Sequence, residues 1–422
     1  MRHSFRSFAL AAVAATGLQA ATAATAAAQT PQFFAPTRTD SVDISEPPAP
    51  LLLPGRAQPG DAERKTPQQA AREQYELGRL LESQGVHAGA IAAYRNAVKF
   101  DSTIAQAHFR MGMLYAGVAQ HRAAVNEFAA EIVHHPSDLV ATRMLGLALA
   151  QDGDTARAIV QLERLTRLEP REAAHWRALG FAYSLAERTA QGERAFRRAL
   201  ALTPKDAATW RDLGALYAAT KRDDEARGAY RKAADFDPAD AAALVNLGNL
   251  ERRAHRTEAA LAAYHEAERR DTTLSLAYRG QVQVLIDARR ETEAGKVYRR
   301  WLVAHPDETS VRVEAIQLYQ QLGRHDVALE LARDGIRRDP RSGEARLAYG
   351  MALHTSGQER DALEELRRAE SWLKKPEQRL RVGALIRSLR ANAPDSLRAL
   401  FAADSVRFEG TKRDTARGGT SR

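Results

Sequence analysis

The chain has 422 residues, 44% of them hydrophobic and 27% charged, with a formal net charge of +9 at pH 7. It contains no cysteine, which excludes disulfides, thiol catalysis, a lipidated-cysteine anchor and every cysteine-based metal site. Only nine of the 62 basic residues are Lys; so Arg-rich and Ala-rich a composition reads as GC-rich bacterial coding, and the charge alone does not imply a nucleic-acid partner.

In chain order, residues 1–28 have the pattern of a secretory leader. Arg2 and Arg6 give it a positive start, Phe8 to Leu18 an apolar stretch, and Ala26-Ala27-Ala28 a small-residue cleavage site before Gln29. The apolar stretch is broken by Thr16 and Gly17, so cleavage is expected rather than stable membrane insertion, and no later segment is long and apolar enough to span a bilayer. The mature chain is expected to be exported, to the periplasm or beyond. Residues 29–70 are rich in Pro (Pro31, Pro36, Pro47, Pro48, Pro50, Pro54, Pro59) and read as a disordered linker.

From Ala71 onward the sequence repeats. Trp176-Arg177-Ala178-Leu179-Gly180 is followed by Tyr183, Phe196, Ala199 and Pro204, and the order returns as Trp210-Arg211-Asp212-Leu213-Gly214, Tyr217, Tyr230, Ala233 and Pro238. Gly recurs every 34 residues as Gly78, Gly112, Gly146, Gly180, Gly214 and Gly248, lapses at Val282 and Ile316, and returns as Gly350. Twelve residues after each of these positions stands a small residue, from Ala90 to Ala362 with Gly192 among them. Nine units follow without insertion: 71–104, 105–138, 139–172, 173–206, 207–240, 241–274, 275–308, 309–342 and 343–376.

A 34-residue period with Trp, Leu-Gly, Tyr, small residue, aromatic and Pro in that order resembles the tetratricopeptide repeat. The resemblance implies an all-α fold, a right-handed superhelical α-solenoid of nine helix-turn-helix units. Two short amphipathic helices cannot bury their apolar faces alone, so neighbouring units stack into one continuous core. The Gly and the small residue are expected where helices approach closely. The aromatics Tyr94, Phe128, Phe196, Tyr230, Tyr264 and Tyr298 are expected to fill space between units, and the Pro to end each second helix. Asp138, Glu172, Asp206, Asp240 and Glu308 are placed to cap the next helix.

After the ninth unit, residues 377–403 are expected to cap the array. Glu377 to Ala391 carries Leu380, Leu385, Ile386 and Leu389 at helical spacing, and Asp395 to Ala402 adds a shorter stretch. Residues 404–422 read as a basic disordered tail; positions 377–422 hold ten basic and five acidic residues, over half of the net charge.

Catalytic signatures are missing: no P-loop, no GxGxxG, no GxSxG and no HExxH. His134-His135, ahead of Pro136, lacks further ligands at metal-binding spacing. No cofactor, metal or catalytic residue is expected, and the chain reads as a non-enzymatic scaffold.

Function then resides on the solenoid surface. In tetratricopeptide proteins, the resemblance implies, the first helix of each unit lines a concave groove that holds peptide segments, through residues three before and one after the Gly. Here those registers give Phe109, Met113, Arg143, Leu147, Arg177, Phe181 and Arg211 as a ladder of arginines with apolar neighbours, suited to an acidic or C-terminal carboxylate segment. Further along, Asn246, Asn249, Arg279, Gln283 and Gln317 form a polar wall able to bond a peptide backbone. Two structural alternatives stand beside this reading: Arg177 and Arg211 pair with nearby acids such as Asp212, and Leu147 and Phe181 are buried between first helices. The partners expected are envelope proteins in assembly or export complexes. The alternative function is binding of an anionic polymer, nucleic acid or acidic polysaccharide, through the Arg-rich groove and basic tail, although no nucleic acid is expected for an exported chain.

Overall fold

The computed structural model describes residues 66–391. The expected leader, nearly all of the Pro-rich linker, the short stretch at 395–402 and the basic tail lie outside the described residues. Within them stand nineteen helices and no strand.

The chain divides into two units that meet between Leu250 and Glu251. In the first, helices come in pairs: α1 (Pro67–Ser83) with α2 (His87–Phe100), α3 (Ala107–Gly117) with α4 (His121–His134), and α5 (Leu139–Gln151) with α6 (Thr155–Leu168). There follow α7 (Ala173–Leu185) with α8 (Thr189–Leu202), and α9 (Ala207–Ala219) with α10 (Asp223–Phe236). The boundary falls inside α11 (Ala242–Arg253). The second unit continues with α12 (Thr257–Arg270), α13 (Ser275–Asp287), α14 (Glu291–Ala304), α15 (Thr309–Gln321) and α16 (His325–Arg338). It closes with α17 (Gly343–Thr355), α18 (Glu359–Trp372) and α19 (Pro376–Ala391). The fold is an all-α solenoid of tandem helix-turn-helix repeats.

Sequence explains the helix starts. Thr66 and Gln69 form a capping box ahead of Pro67, each side chain accepting the other's backbone N–H, at 3.2 and 2.8 Å. Asp138, Glu172 and Asp206 accept backbone N–H groups from the first turns of α5, α7 and α9, and Asp240 accepts that of Ala242. Glu308 departs from the expectation. Its carboxylate accepts the Ser275 hydroxyl at 3.0 Å and lies 3.3 Å from His305, so α15 starts without a side-chain cap.

Inside each pair, the Gly makes room for one large side chain. A Cβ on Gly180 would stand 2.7 Å from the Phe196 ring, and one on Gly112 2.7 Å from Phe128. Gly78 faces Tyr94, Gly146 faces Leu162 and Gly214 faces Tyr230 in the same way. This corrects the expected place of Tyr94, Phe128, Phe196 and Tyr230: they fill the gap within a unit, against their own Gly. Tyr264 alone among these contacts reaches into the following unit, against Gly280. Where Gly lapses the volumes are exchanged, because Ile316 packs in one cluster with Ala332, which stands in the register of the aromatics. Around Val282 the fully buried Trp301 stacks between Tyr278 and Tyr298, with ring centres 6.0 and 6.1 Å away.

Two further periodic devices hold the units together. Six residues after each of five turn residues, a long side chain donates back to that residue's carbonyl. Trp176 does so to Pro170 (3.0 Å), Trp210 to Pro204 (2.8 Å), Tyr278 to Thr272 (3.1 Å), and Arg312 and Arg346 to Pro306 and Pro340. Between the helices of each unit one residue is left-handed: Gly85, Ala119, Gly153, Glu187, Lys221, His255, Arg289, Gly323 and Gly357. Five of these carry a Cβ there, so the turn is imposed by the packing of the pair and not by glycine.

The capping helix α19 covers the last pair through Val382 and Ile386, which join Leu363, Leu366 and Leu373 in one cluster. Leu380 does not take part, being 72% exposed.

Packing around glycine sets a matched test. Gly180→Ala drives a methyl into a fully buried ring and is expected to destabilise by about 1–3 kcal/mol. Gly228→Ala, in α10 with nothing within 4 Å of the new Cβ, is expected to stabilise by about 0.5–1 kcal/mol. Urea midpoints moving in the same direction for both would refute the close-approach role.

Candidate peptide-binding face

The residues predicted to line a groove lie on first helices: Phe109 and Met113 on α3, Arg143 and Leu147 on α5, Arg177 and Phe181 on α7, Arg211 on α9. A separation of four places each such pair on one helix face. These helices touch one another directly as well as their own partners, α5 against α7 and α7 against α9. That contact decides the apolar members. Leu147 is 2% and Phe181 1% exposed, so both belong to the core and offer a ligand no surface, a correction to their predicted role. Phe109 is half-buried, its ring 5.7 Å from that of Phe128. Met113 is half-buried.

The arginine ladder is brought together and is largely satisfied from within. Arg177 donates its Nε–H to Asp212 Oδ2 at 2.7 Å, and the Asp212 side chain is fully covered. Arg211 pairs with Asp240. Arg177 thus reaches an acid of the following unit, and Arg211 the acid that closes its own unit and caps α11. Burial pushes the Asp212 carboxyl above the usual aspartate range, while Arg177 and Arg211 pull it back. Its second oxygen, Oδ1, is buried without a hydrogen-bond partner.

Arg143 differs. Among the described residues no hydrogen bond or ion pair engages it. Burial lowers its pKa from the usual arginine value, Glu172 opposes that shift, and Arg177, as a like charge, adds to it. It is a half-buried cation with acids in its vicinity but none in contact.

The polar wall divides between the two units. Asn246 and Asn249, in the first, are half-buried on α11. In the second, Arg279 lies 3.9 Å from Glu314 with its guanidinium 5.2 Å from the centre of the Trp301 ring. Gln283 donates to Asp287 of its own helix at 2.8 Å, and Gln317 is half-buried. Arg279 and Gln283 are thus committed to contacts within their unit.

Two polar sites escaped the sequence reading. Glu131, 2% exposed, accepts the backbone N–H groups of Gln106 (3.0 Å) and Phe109 (3.1 Å), capping α3 from α4. Its signal was available: Glu131 stands in the register of Ala97, Ala199, Ala233 and Ala267. Glu268 accepts from Gln281 (2.7 Å) and Arg300 (2.8 Å), and Gln281 occupies the register of Leu179, Leu213 and Leu247. His135 Nε2 stands 3.9 Å from Glu131 and His134 stacks on His108; no group of three or more His, Asp or Glu suited to a metal ion is found among the described residues.

No curated protein is detectably related to the chain by sequence. Among solved structures it is similar to MamA 41-end from Desulfovibrio magneticus RS-1, at 19% identity over 40% of this chain and 97% of that one (TM-score 0.36). It is also similar to YrrB, described as a TPR protein with an unusual peptide-binding site, at 22% identity over 41% and 90% (TM-score 0.33). Yeast Tom70 matches at 12% identity over 76% and 96% (TM-score 0.33). The tetratricopeptide repeat family model matches residues 109–166, 182–241, 245–309 and 313–373. With more than half of its length matched by that model, and with the period, the helix pairs and the glycine–aromatic packing all in register, this chain belongs to the tetratricopeptide repeat family.

Proposed function

We propose that the protein is a non-enzymatic, exported scaffold that binds acidic or C-terminal carboxylate segments of partner proteins along its first helices, in cell-envelope assembly or export complexes. The fold is a protein-binding repeat scaffold; the ligand class rests on one observation. In the ladder Arg143–Arg177–Arg211, two cations are neutralised by Asp212 and Asp240, whereas Arg143 contacts no acid among the described residues. A carboxylate that displaced water from Arg143 would gain a charge-assisted hydrogen bond. Export is supported by the leader-like pattern of residues 1–28. A continuous wall for an anionic polymer is disfavoured, since two of the three ladder charges are already offset.

Two substitutions separate binding from stability. Arg143→Ala is expected to leave helicity and melting unchanged and to weaken binding of a carboxylate-terminated peptide about tenfold or more. Fluorescence anisotropy against the same peptide with an amidated C-terminus checks it; equal affinity of parent and variant for the free-acid peptide would remove Arg143 from the site. Asp212→Ala removes the buried carboxylate that Arg177 bonds, leaving a void, and is expected to cost about 3 kcal/mol in urea unfolding. A loss below about 1 kcal/mol would mean the buried pair does not organise the ladder. In living cells, crosslinking from position 143 is expected to capture envelope proteins, and capture of cytosolic proteins only would refute export.

A further inference from the structure

The end of the array carries a charge pattern unlike the rest. Arginines elsewhere are commonly paired: in α18, Arg368 meets Glu364 and Glu365, and Arg346 of α17 also meets Glu365. Between Lys374 and Ala391 stand Lys374, Lys375, Arg379, Arg381, Arg387 and Arg390 against a single acid, Glu377. None of the six forms an ion pair among the described residues; the Arg379 side chain donates only to the Lys374 carbonyl, at 3.2 Å. Lys374, Lys375, Arg379 and Arg381 are all exposed.

Apolar surface is exposed among these charges. On α19, Val382 and Ile386 face the array, and Leu380, Ala384 and Arg387, one or two turns apart, share the opposite face. Leu380 is therefore directed away from the core at 72% exposure, with Arg379 and Arg381 roughly 100° to either side of it on the helix. Trp372, just before the Lys374-Lys375 turn, is 42% exposed, with the Arg346 guanidinium 4.4 Å from its ring centre.

We propose that α19 and the turn before it form a peripheral docking surface for an anionic lipid membrane. Cations flanking an outward Leu match an interfacial helix, in which the apolar side chain enters the headgroup–acyl boundary while arginine stems extend back to the lipid phosphates. Trp372 is the residue type favoured at that depth. Complementarity with negative lipid identifies the occupant, and the outward Leu380 sets it apart from nucleic acid, whose phosphates would engage the cations alone. Attachment is peripheral: no described helix is long and apolar enough to cross a bilayer.

The test is partitioning of the full chain between two-to-one phosphatidylcholine–phosphatidylglycerol vesicles and pure phosphatidylcholine vesicles. The ratio of the two constants cancels any contribution of the apolar N-terminal stretch that both lipids share. At roughly fivefold per surface cation, Lys374→Gln/Lys375→Gln/Arg379→Gln/Arg381→Gln is expected to lower the ratio on the order of several hundredfold, with helicity unchanged. Leu380→Ser is expected to lower binding to the mixed vesicles about tenfold. A ratio that neither variant changes overturns the proposal. So does the pattern in which duplex DNA is bound, is lost in the fourfold variant and is retained in Leu380→Ser, while the mixed vesicles are not bound.

Discussion

Most helix pairs depend on one steric constraint. Two helices approach closely enough to share a single large side chain when the residue opposite is small, and in most pairs it has no Cβ at all. Gly78 with Tyr94, Gly112 with Phe128, Gly180 with Phe196 and Gly214 with Tyr230 are the same contact repeated. Because what is conserved in this contact is volume rather than residue type, the chain can also satisfy it in reverse, as with Ile316 and Ala332. With that contact go the left-handed residue in the turn within each unit and the constant length of the unit, since that turn must span the same gap each time.

The carbonyl clamps show how such a chain tolerates variation. Trp176, Trp210, Tyr278, Arg312 and Arg346 have little in common except a donor at the end of a long, partly flat side chain, and all reach back six residues to a turn carbonyl. The turn keeps its satisfied acceptor whichever donor is used. Glu131 acts by the same logic from further away, closing a helix start that has no capping side chain of its own.

Function is written in the charges that this packing leaves over. A solenoid buries its apolar residues along its length, so what distinguishes one surface from another is which ionic groups the fold itself neutralises. Asp212 and Asp240 take up two arginines of the ladder, and Arg143 retains its charge without a contact partner among the described residues. At the other end, α19 takes over the apolar face of the last pair and carries its cations and Leu380 outward. Both surfaces are defined by the contrast with the many arginines that α10, α16 and α18 hold in pairs.

The period, the helix pairs and most caps were legible in the residues alone, because these depend on contacts within some forty residues and repeat nine times. So was the common register of Arg143, Arg177 and Arg211. What those side chains do is set by packing between helices. Leu147 and Phe181 share the ladder's registers yet are core, since α5, α7 and α9 touch one another and cover whatever is large between them. Arg177 is committed to Asp212, 35 residues on, and Leu380 is turned away from the array that it was expected to cover. Such outcomes depend on which face of a helix meets its neighbour, a matter of a few tens of degrees of rotation that no residue spacing fixes.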